Sequence, residues 1–142
     1  MQLFRLLLVM GNQVRSRMDA RLAPLGLTTQ QAAALTIVDQ SDPPPTLGSI
    51  ARAMGSSHQN VRQIVAALER KGLVDVHVDA DDRRARRVTA TPAVAELFQP
   101  RDDGDQAEVA RWFSVLSDEE QALAVTLLRR VHRHLVADPT NS

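Results

Sequence analysis

The chain has 142 residues, of which 44% are hydrophobic, so it is long enough to bury a core and too apolar to be disordered. The absence of cysteine excludes disulfides, cysteine-ligated metal sites and a thiol redox switch, and it fits the reducing cytoplasm that we expect for this protein. The 17 basic side chains balance the 17 acidic ones. The positive and negative charges are nevertheless separated along the chain. Residues 46–90 hold eight basic and five acidic side chains, whereas residues 101–120 hold two basic and seven acidic ones. This separation predicts one basic face.

The N-terminal segment has the pattern of an amphipathic helix that Pro24 and Gly26 end. Arg5 interrupts its apolar run, no cleavage-site pattern follows, and the run is too short to span a bilayer. We therefore expect no signal peptide and no membrane partner. The apolar face of this helix is a stripe that is wider than a surface helix needs, which predicts contact with a second subunit. The stripe consists of Leu3, Leu7, Met10, Val14, Met18 and Leu22, widened by Leu6, Leu8 and Val9.

Three more helices are predicted between residues 28 and 72 from their capping residues. Thr28 and Gln31 have the spacing of a capping box, in which each side chain satisfies a free amide of the other residue. Thr46 and Ser57 are predicted to cap the next two helices. Gly55 and Gly72 follow these helices, as C-terminal glycines commonly do.

The pattern then changes to that of a β-hairpin. Residues 73–78 alternate between apolar and polar, residues 87–89 are predicted to be the partner strand, and a charged loop joins them. Helix, turn, helix and hairpin in this order predict a winged helix-turn-helix, whose second helix reads the major groove of DNA. The leading turns of that helix offer side chains that hydrogen-bond base edges or phosphates. These candidate DNA-binding residues are Ser57, His58, Gln59, Asn60, Arg62 and Gln63; His58 is equally well explained as a surface residue.

The loop of the hairpin predicts a second DNA contact, because four arginines are expected at its tip. Arginine suits a narrow minor groove, since it loses water more readily than lysine. We therefore predict that the wing binds DNA through Arg83, Arg84, Arg86 and Arg87. Asp82 is expected to orient the wing by holding a neighbouring arginine in an extended conformation.

These features together resemble the multiple antibiotic resistance regulator (MarR) family over nearly the whole chain. The resemblance is carried by the start of the second helix, by the Glu-Arg-Lys-Gly-Leu-Val stretch at residues 69–74, and by the Asp-Asp-Arg-Arg stretch at residues 81–84. It implies a homodimer on a palindromic DNA operator, usually as a repressor. It also implies a small-molecule effector, often phenolic or anionic, that relieves DNA binding.

The predicted fold is mostly α-helical with a small β-hairpin wing: a winged helix-turn-helix at residues 28–91 between dimerisation helices at residues 1–27 and 92–142. One departure from the family pattern is Pro100, which should break or kink the long helix after the wing because proline removes a backbone donor. This break is either a hinge that sets the spacing of the two winged helix-turn-helix domains in a dimer, or an interruption that the surface of the helix tolerates.

The alternative functions have less support in the sequence. No nucleophile elbow, phosphate-binding glycine loop or metal-ligand spacing is present, so we expect no enzyme, no cofactor and no metal. His132 and His134 lie two residues apart, which places them on different sides of a helix. Trp112 is expected in the core or a dimer contact, with a ligand pocket as the alternative. A winged helix that binds a protein partner through its acidic segment, without reading DNA, also remains open.

Overall fold

The protein is described by a computed structural model that covers residues 1–98 and 102–137, with the backbone alone at residues 102, 103, 105 and 106. The chain divides into two units, residues 1–99 and residues 100–142. The described part of the first unit contains five α-helices, a 3-10 helix at Ala23–Leu25 and a β-hairpin. The α-helices and strands are α1 (Gln2–Leu22), α2 (Thr29–Gln40), α3 (Leu47–Met54), α4 (His58–Arg70), β1 (Val74–Val78), β2 (Arg86–Ala90) and α5 (Ala93–Phe98).

Helices α2, α3 and α4 begin at the predicted capping residues, and α3 and α4 end just before the predicted glycines. Thr28 and Thr46 each accept a hydrogen bond from a backbone amide three residues on, and both complete a capping box. The Ser57 hydroxyl accepts from the amide of Asn60 at 3.1 Å and caps α4. Gly55 and Gly72 adopt left-handed φ angles of 59° and 70°, which let the chain turn sharply after α3 and after α4.

The core of the first unit lies where α2, α3 and α4 meet the hairpin. Helix α4 turns one apolar face inward and leaves its polar face to solvent, as its 3.6-residue period requires. The two strands add alternate residues to the same core. The largest fully buried side chains are Leu35, Ile50, Val61, Leu68, Val74, Val88 and Val94.

The hairpin is antiparallel, with Val74 opposite Ala90 and Val78 opposite Arg86. A short extended segment before α3 continues the sheet beyond β2. The amide of Val88 donates to the carbonyl oxygen of Pro45 at 3.0 Å, and Thr46 forms an isolated bridge with Arg87. The wing is thereby attached directly to the residues that lead into α3.

The second unit contains two described helices, α6 (Asp102–Trp112) and α7 (Asp118–Ala137). Ser117 and Glu120 form a reciprocal cap at the start of α7. The apolar stripe of α7 is exposed in the single chain, from Leu123 to Leu135. No helix within residues 1–98 and 102–137 is both long and apolar enough to cross a membrane.

The predicted fold class is confirmed, and one local detail differs. Strand β2 begins at Arg86, so Arg86 and Arg87 lie in the strand and only Arg83 and Arg84 lie in the loop at the tip. The strand is longer than expected because Arg86 pairs with Val78 of β1 and Ala90 pairs with Val74. The predicted break at Pro100 lies outside the described residues.

Candidate nucleic-acid interface

Helix α4 presents a polar face that faces away from the core. His58 and Arg62 are one helical turn apart, as are Gln59 and Gln63, and all four side chains are exposed. The buried residues of the same helix, such as Val61 and Leu68, fix this orientation. The helix therefore offers imidazole, amide and guanidinium groups in two adjacent rows, which suits hydrogen bonding to base edges and phosphates.

Two other predicted DNA-binding residues, Ser57 and Asn60, form hydrogen bonds at the start of α4. The hydroxyl of Ser57 accepts the amide hydrogen of Asn60, and the side-chain amide of Asn60 donates to the hydroxyl of Ser56 at 2.7 Å. Asn60 is half-buried. Both residues therefore stabilise the N-terminus of α4, and their predicted DNA contacts remain predictions.

An open groove joins α4 to the wing. It has a volume of about 420 Å³ and is bordered by the start of α3, the start of α4 and the wing loop. The structure thus brings together four of the predicted DNA-binding residues with the predicted wing-orienting aspartate. They are His58, Arg62, Arg84, Arg86 and Asp82. Gln59, Gln63 and Arg83 are exposed but do not line this groove.

A second groove lies between the middle of α4 and the hairpin. It has a volume of about 350 Å³, and its apolar floor includes Leu47, Val65 and Val76. Arg62 and Arg86 line both grooves. These two guanidiniums therefore stand where the helix and the wing meet, and they concentrate positive charge there.

The wing loop is held by carboxylates that accept backbone hydrogen bonds. Asp82 accepts from the amide of Arg84 at 2.9 Å, so the structure places its carboxylate on the backbone and not on a guanidinium. Its predicted role in orienting the wing remains a prediction, now through the backbone. The carbonyl oxygen of Asp82 also accepts from the amide of Ala85 at 2.9 Å, which closes the tip.

Asp79 is a structural residue that was not among those predicted from the sequence. One of its carboxylate oxygens accepts from the amides of Asp81 and Asp82 at 2.7 and 3.0 Å, and the other accepts from Arg87. Aspartate at the first position of a turn commonly accepts from amides two and three residues on, so its place directly after β1 was an available signal. The partner Arg87 could not have been chosen from the sequence among the neighbouring arginines.

The acid–base behaviour of Asp79 follows from these bonds. Hydrogen bonds from the amide of Asp81, the guanidinium of Arg87 and the amide of Asp82 lower the pKa of the Asp79 carboxyl below its ordinary value. A carboxyl with a lowered folded-state pKa stabilises the fold above its unfolded-state pKa of about 3.9, and this contribution disappears as pH falls through the folded-state value. The wing should therefore stay ordered down to about pH 4 and loosen in stronger acid.

This behaviour can be measured by following the side-chain carboxyl carbon of Asp79 by NMR during an acid titration. The midpoint is expected below about 3.9. An Asp79→Asn variant, which lacks the titrating group, is the control for assignment and should show no such transition. A midpoint at or above the ordinary value would contradict the hydrogen-bonding arrangement of the wing.

The arrangement defines a class of protein: a winged helix-turn-helix, with a basic groove between its second helix and its wing. No group of three or more histidine or acidic side chains that could hold a metal ion occurs in the part of the chain that the structure describes. The MarR family model matches residues 25–85. The winged helix-turn-helix of this chain is therefore similar to that of MarR family proteins.

Solved structures of transcriptional regulators and of a DNA complex share the fold along nearly the whole chain. A DNA complex of MepR from S. aureus is 24% identical with a TM-score of 0.79, over 94% of this chain and 96% of that one. AbsC from Streptomyces coelicolor, a MarR family transcriptional regulator, is 20% identical with a TM-score of 0.85, over 95% and 93%. CouR from Rhodococcus jostii RHA1, bound to p-coumaroyl-CoA, is 23% identical with a TM-score of 0.75, over 93% and 90%.

Proposed function

We propose that this protein is a sequence-specific DNA-binding transcriptional regulator that acts as a homodimer on a palindromic operator in the cytoplasm. The observation that carries the proposal is the groove in which His58 and Arg62 of α4 meet Arg84 and Arg86 of the wing. A helix whose apolar face is fixed in the core and whose polar face adjoins a basic hairpin has the two parts that groove reading needs.

In this proposal α4 enters the major groove and the wing follows the adjacent backbone. The side chains of His58, Gln59 and Gln63 are exposed and would meet base edges. Arg62 and Arg86 line the groove at the junction of helix and wing and would bind phosphates. Arg84 at the tip would reach the minor groove. Phosphate contacts would set the position of the protein, and base contacts would set its preferred sequence.

Dimerisation is supported by apolar surface that a single chain leaves in water. In α1, Leu3 and Leu7 are 60% and 38% exposed, and in α7, Leu128 is 45% exposed. Contiguous apolar surface of this extent on a helix indicates an interface. A second copy is the partner that a palindromic operator requires, since two-fold symmetry in the DNA matches two-fold symmetry in the protein.

Repression and effector control complete the proposal. A dimer seated on an operator can block transcription of the adjacent genes, and the solved complex of CouR with p-coumaroyl-CoA supports a small organic effector for this chain as well. We infer that such a ligand would relieve DNA binding by stabilising a conformation in which the two α4 helices no longer match the operator spacing.

The homodimer can be tested by replacing Leu128 with glutamate. Because this change puts a charge into the apolar stripe of α7, it is expected to convert a dimer into a monomer at micromolar concentration, measured by light scattering. Arg133→Glu is the matched control, since Arg133 lies on the opposite side of the same helix and should leave the dimer intact. A wild-type monomer, or a Leu128→Glu dimer, would refute the proposed interface.

The proposed function is tested by selecting binding sites from a random pool of duplex DNA and titrating the selected duplex with salt. We expect a palindrome with half-sites about one helical turn apart. Its affinity should fall steeply with salt, because each phosphate contact releases counterions. Weak binding without sequence preference would instead indicate that the winged helix serves a protein partner, and the acidic segment at residues 101–120 would be examined for it.

A further inference from the structure

The wing contains a buried ion pair that the proposed DNA contacts do not use. Among the residues that the structure describes, Asp79 is the one charged residue that is buried, with 5% of its side chain exposed. Its partner is Arg87, whose side chain is 31% exposed. A buried charge is tolerated in a protein when it is paired and hydrogen-bonded, and both oxygens of the Asp79 carboxylate accept hydrogen bonds.

Arg87 makes two contacts in different parts of the chain. Its Nε donates to the Asp79 carboxylate at the root of the wing, and its Nη1 donates to the carbonyl oxygen of Pro44 before α3. The neighbouring Arg86 lies instead in the groove beside Arg62. Two adjacent arginines of one strand therefore have different surroundings, because alternate residues of a strand lie on opposite faces.

The two contacts connect the wing tip to the helix-turn-helix. On one side, Asp79 fixes the amides of Asp81 and Asp82, which begin the loop that carries Arg84. On the other side, Pro44 lies two residues before Thr46, the residue that caps α3. The guanidinium of Arg87 thus joins the loop that holds the tip arginines to the segment that starts the first helix of the motif.

We propose that Asp79 and Arg87 are positioning residues that set the wing at a fixed angle to α4, and that Arg87 does this without binding DNA itself. This inference rests on the proposed DNA-binding function. Because the carboxylate and the guanidinium neutralise each other, the pair adds little to the attraction of DNA phosphates. Its contribution to affinity comes from holding Arg84 and Arg86 where a bound duplex needs them, which lowers the ordering cost of binding.

A lysine substitution at Arg87 distinguishes a positioning role of this residue from a phosphate-binding role. Arg87→Lys keeps the positive charge, but one ammonium group cannot reproduce the two-pronged contact with Asp79 and Pro44. A phosphate-binding role would survive the substitution, whereas a positioning role would not. Arg70→Lys is the matched control, because it also keeps the positive charge and Arg70 lies in the last turn of α4, outside both grooves.

The experiment measures the affinity of the full chain for the duplex selected from the random pool. Arg87→Lys and the isosteric Asp79→Asn are each expected to weaken binding about tenfold, which corresponds to the removal of one charge-assisted hydrogen bond. The double variant should be no weaker than either single variant, since the two residues act as one unit. Arg70→Lys should stay within about twofold of wild type, because it keeps the charge at a position outside the proposed interface.

A second measurement separates positioning of the tip from general damage to the fold. In the free protein, amide hydrogen exchange at Asp81 and Asp82 should accelerate in both single variants, while amides of the α4 core such as Leu68 keep their protection. Arg84→Ala should also weaken binding less in the Arg87→Lys background than in wild type, because an unpositioned tip arginine contributes less.

The outcomes distinguish the inference from the function on which it rests. If wild type selects no duplex, the proposed function fails, and the inference fails with it. If wild type binds tightly and Arg87→Lys binds equally well, or if the effects of Asp79→Asn and Arg87→Lys simply add, the positioning role is overturned while DNA binding stands. Weakened binding with faster exchange across the whole of α4 would also overturn it, since that result indicates general unfolding.

Discussion

Replacing Arg62 and Arg84 together with alanine is expected to weaken binding to the selected duplex by at least about 30-fold. Each guanidinium that touches DNA directly contributes about 1–3 kcal/mol, so two contribute at least about 2 kcal/mol. The slope of log affinity against log salt should fall by about 0.9 for each phosphate that the variant no longer neutralises. These residues come from different elements, α4 and the wing, and they line the same groove.

Arg70→Ala is the matched control for this prediction. Arg70 has the same charge and lies on the same helix, but it is in the last turn of α4, away from the groove. Its removal should change the affinity by less than about threefold, through the general field of the protein alone. Equally weakened binding in the two variants would mean that the groove is not where DNA binds. Equal affinity of the double variant and wild type would exclude a role for both arginines.

Replacing Leu68 with alanine is expected to lower the free energy of unfolding by about 2–5 kcal/mol, as for other buried leucines. Leu68 is 0% exposed and lies in the core that α4 shares with its neighbours. The decrease would be a large fraction of the stability of a small domain, which is about 5–15 kcal/mol. Urea denaturation followed by circular dichroism at one fixed protein concentration measures it, since dimerisation makes stability depend on concentration.

Val78→Ala serves as the control for the core substitution. Val78 lies in β1, and 49% of its surface is exposed, so its truncation should change the free energy of unfolding by about 0.5 kcal/mol or less. A decrease for Leu68→Ala that is no larger than the decrease for Val78→Ala would contradict the placement of α4 in the core. Such a result would also remove the reason for assigning His58 and Arg62 to its outer face.

The order of elements and the ends of the helices could be predicted because both depend on local chemistry. Thr28, Thr46 and Ser57 cap the helices that follow them, since a short polar side chain satisfies amides only two or three residues away. The apolar period of α4 determined which of its residues face the core. The same period also identified the exposed residues of α4 that are candidates for DNA binding.

The organisation of the wing could not be predicted in the same way. The sequence shows four arginines within five residues and gives no reason to separate them. The structure places Arg83 and Arg84 in the loop, Arg86 in the groove, and Arg87 against Asp79 and Pro44. The predicted role of Asp82 as a partner for a guanidinium corresponds in the structure to a bond with the backbone of Arg84.

The amino-acid sequence by itself determined the class of fold, the capped helices, the hairpin and the surface on which the predicted DNA-binding residues gather. The capped helices depend on periodicity and on hydrogen bonds within four residues of each other, and the hairpin is marked by the two-residue alternation of its strands. Only the tertiary structure decided which arginine faces the groove and which one pairs with Asp79. That choice depends on Pro44, which is 43 residues away from Arg87 in the chain and comes beside it only when the segment before α3 joins the edge of β2.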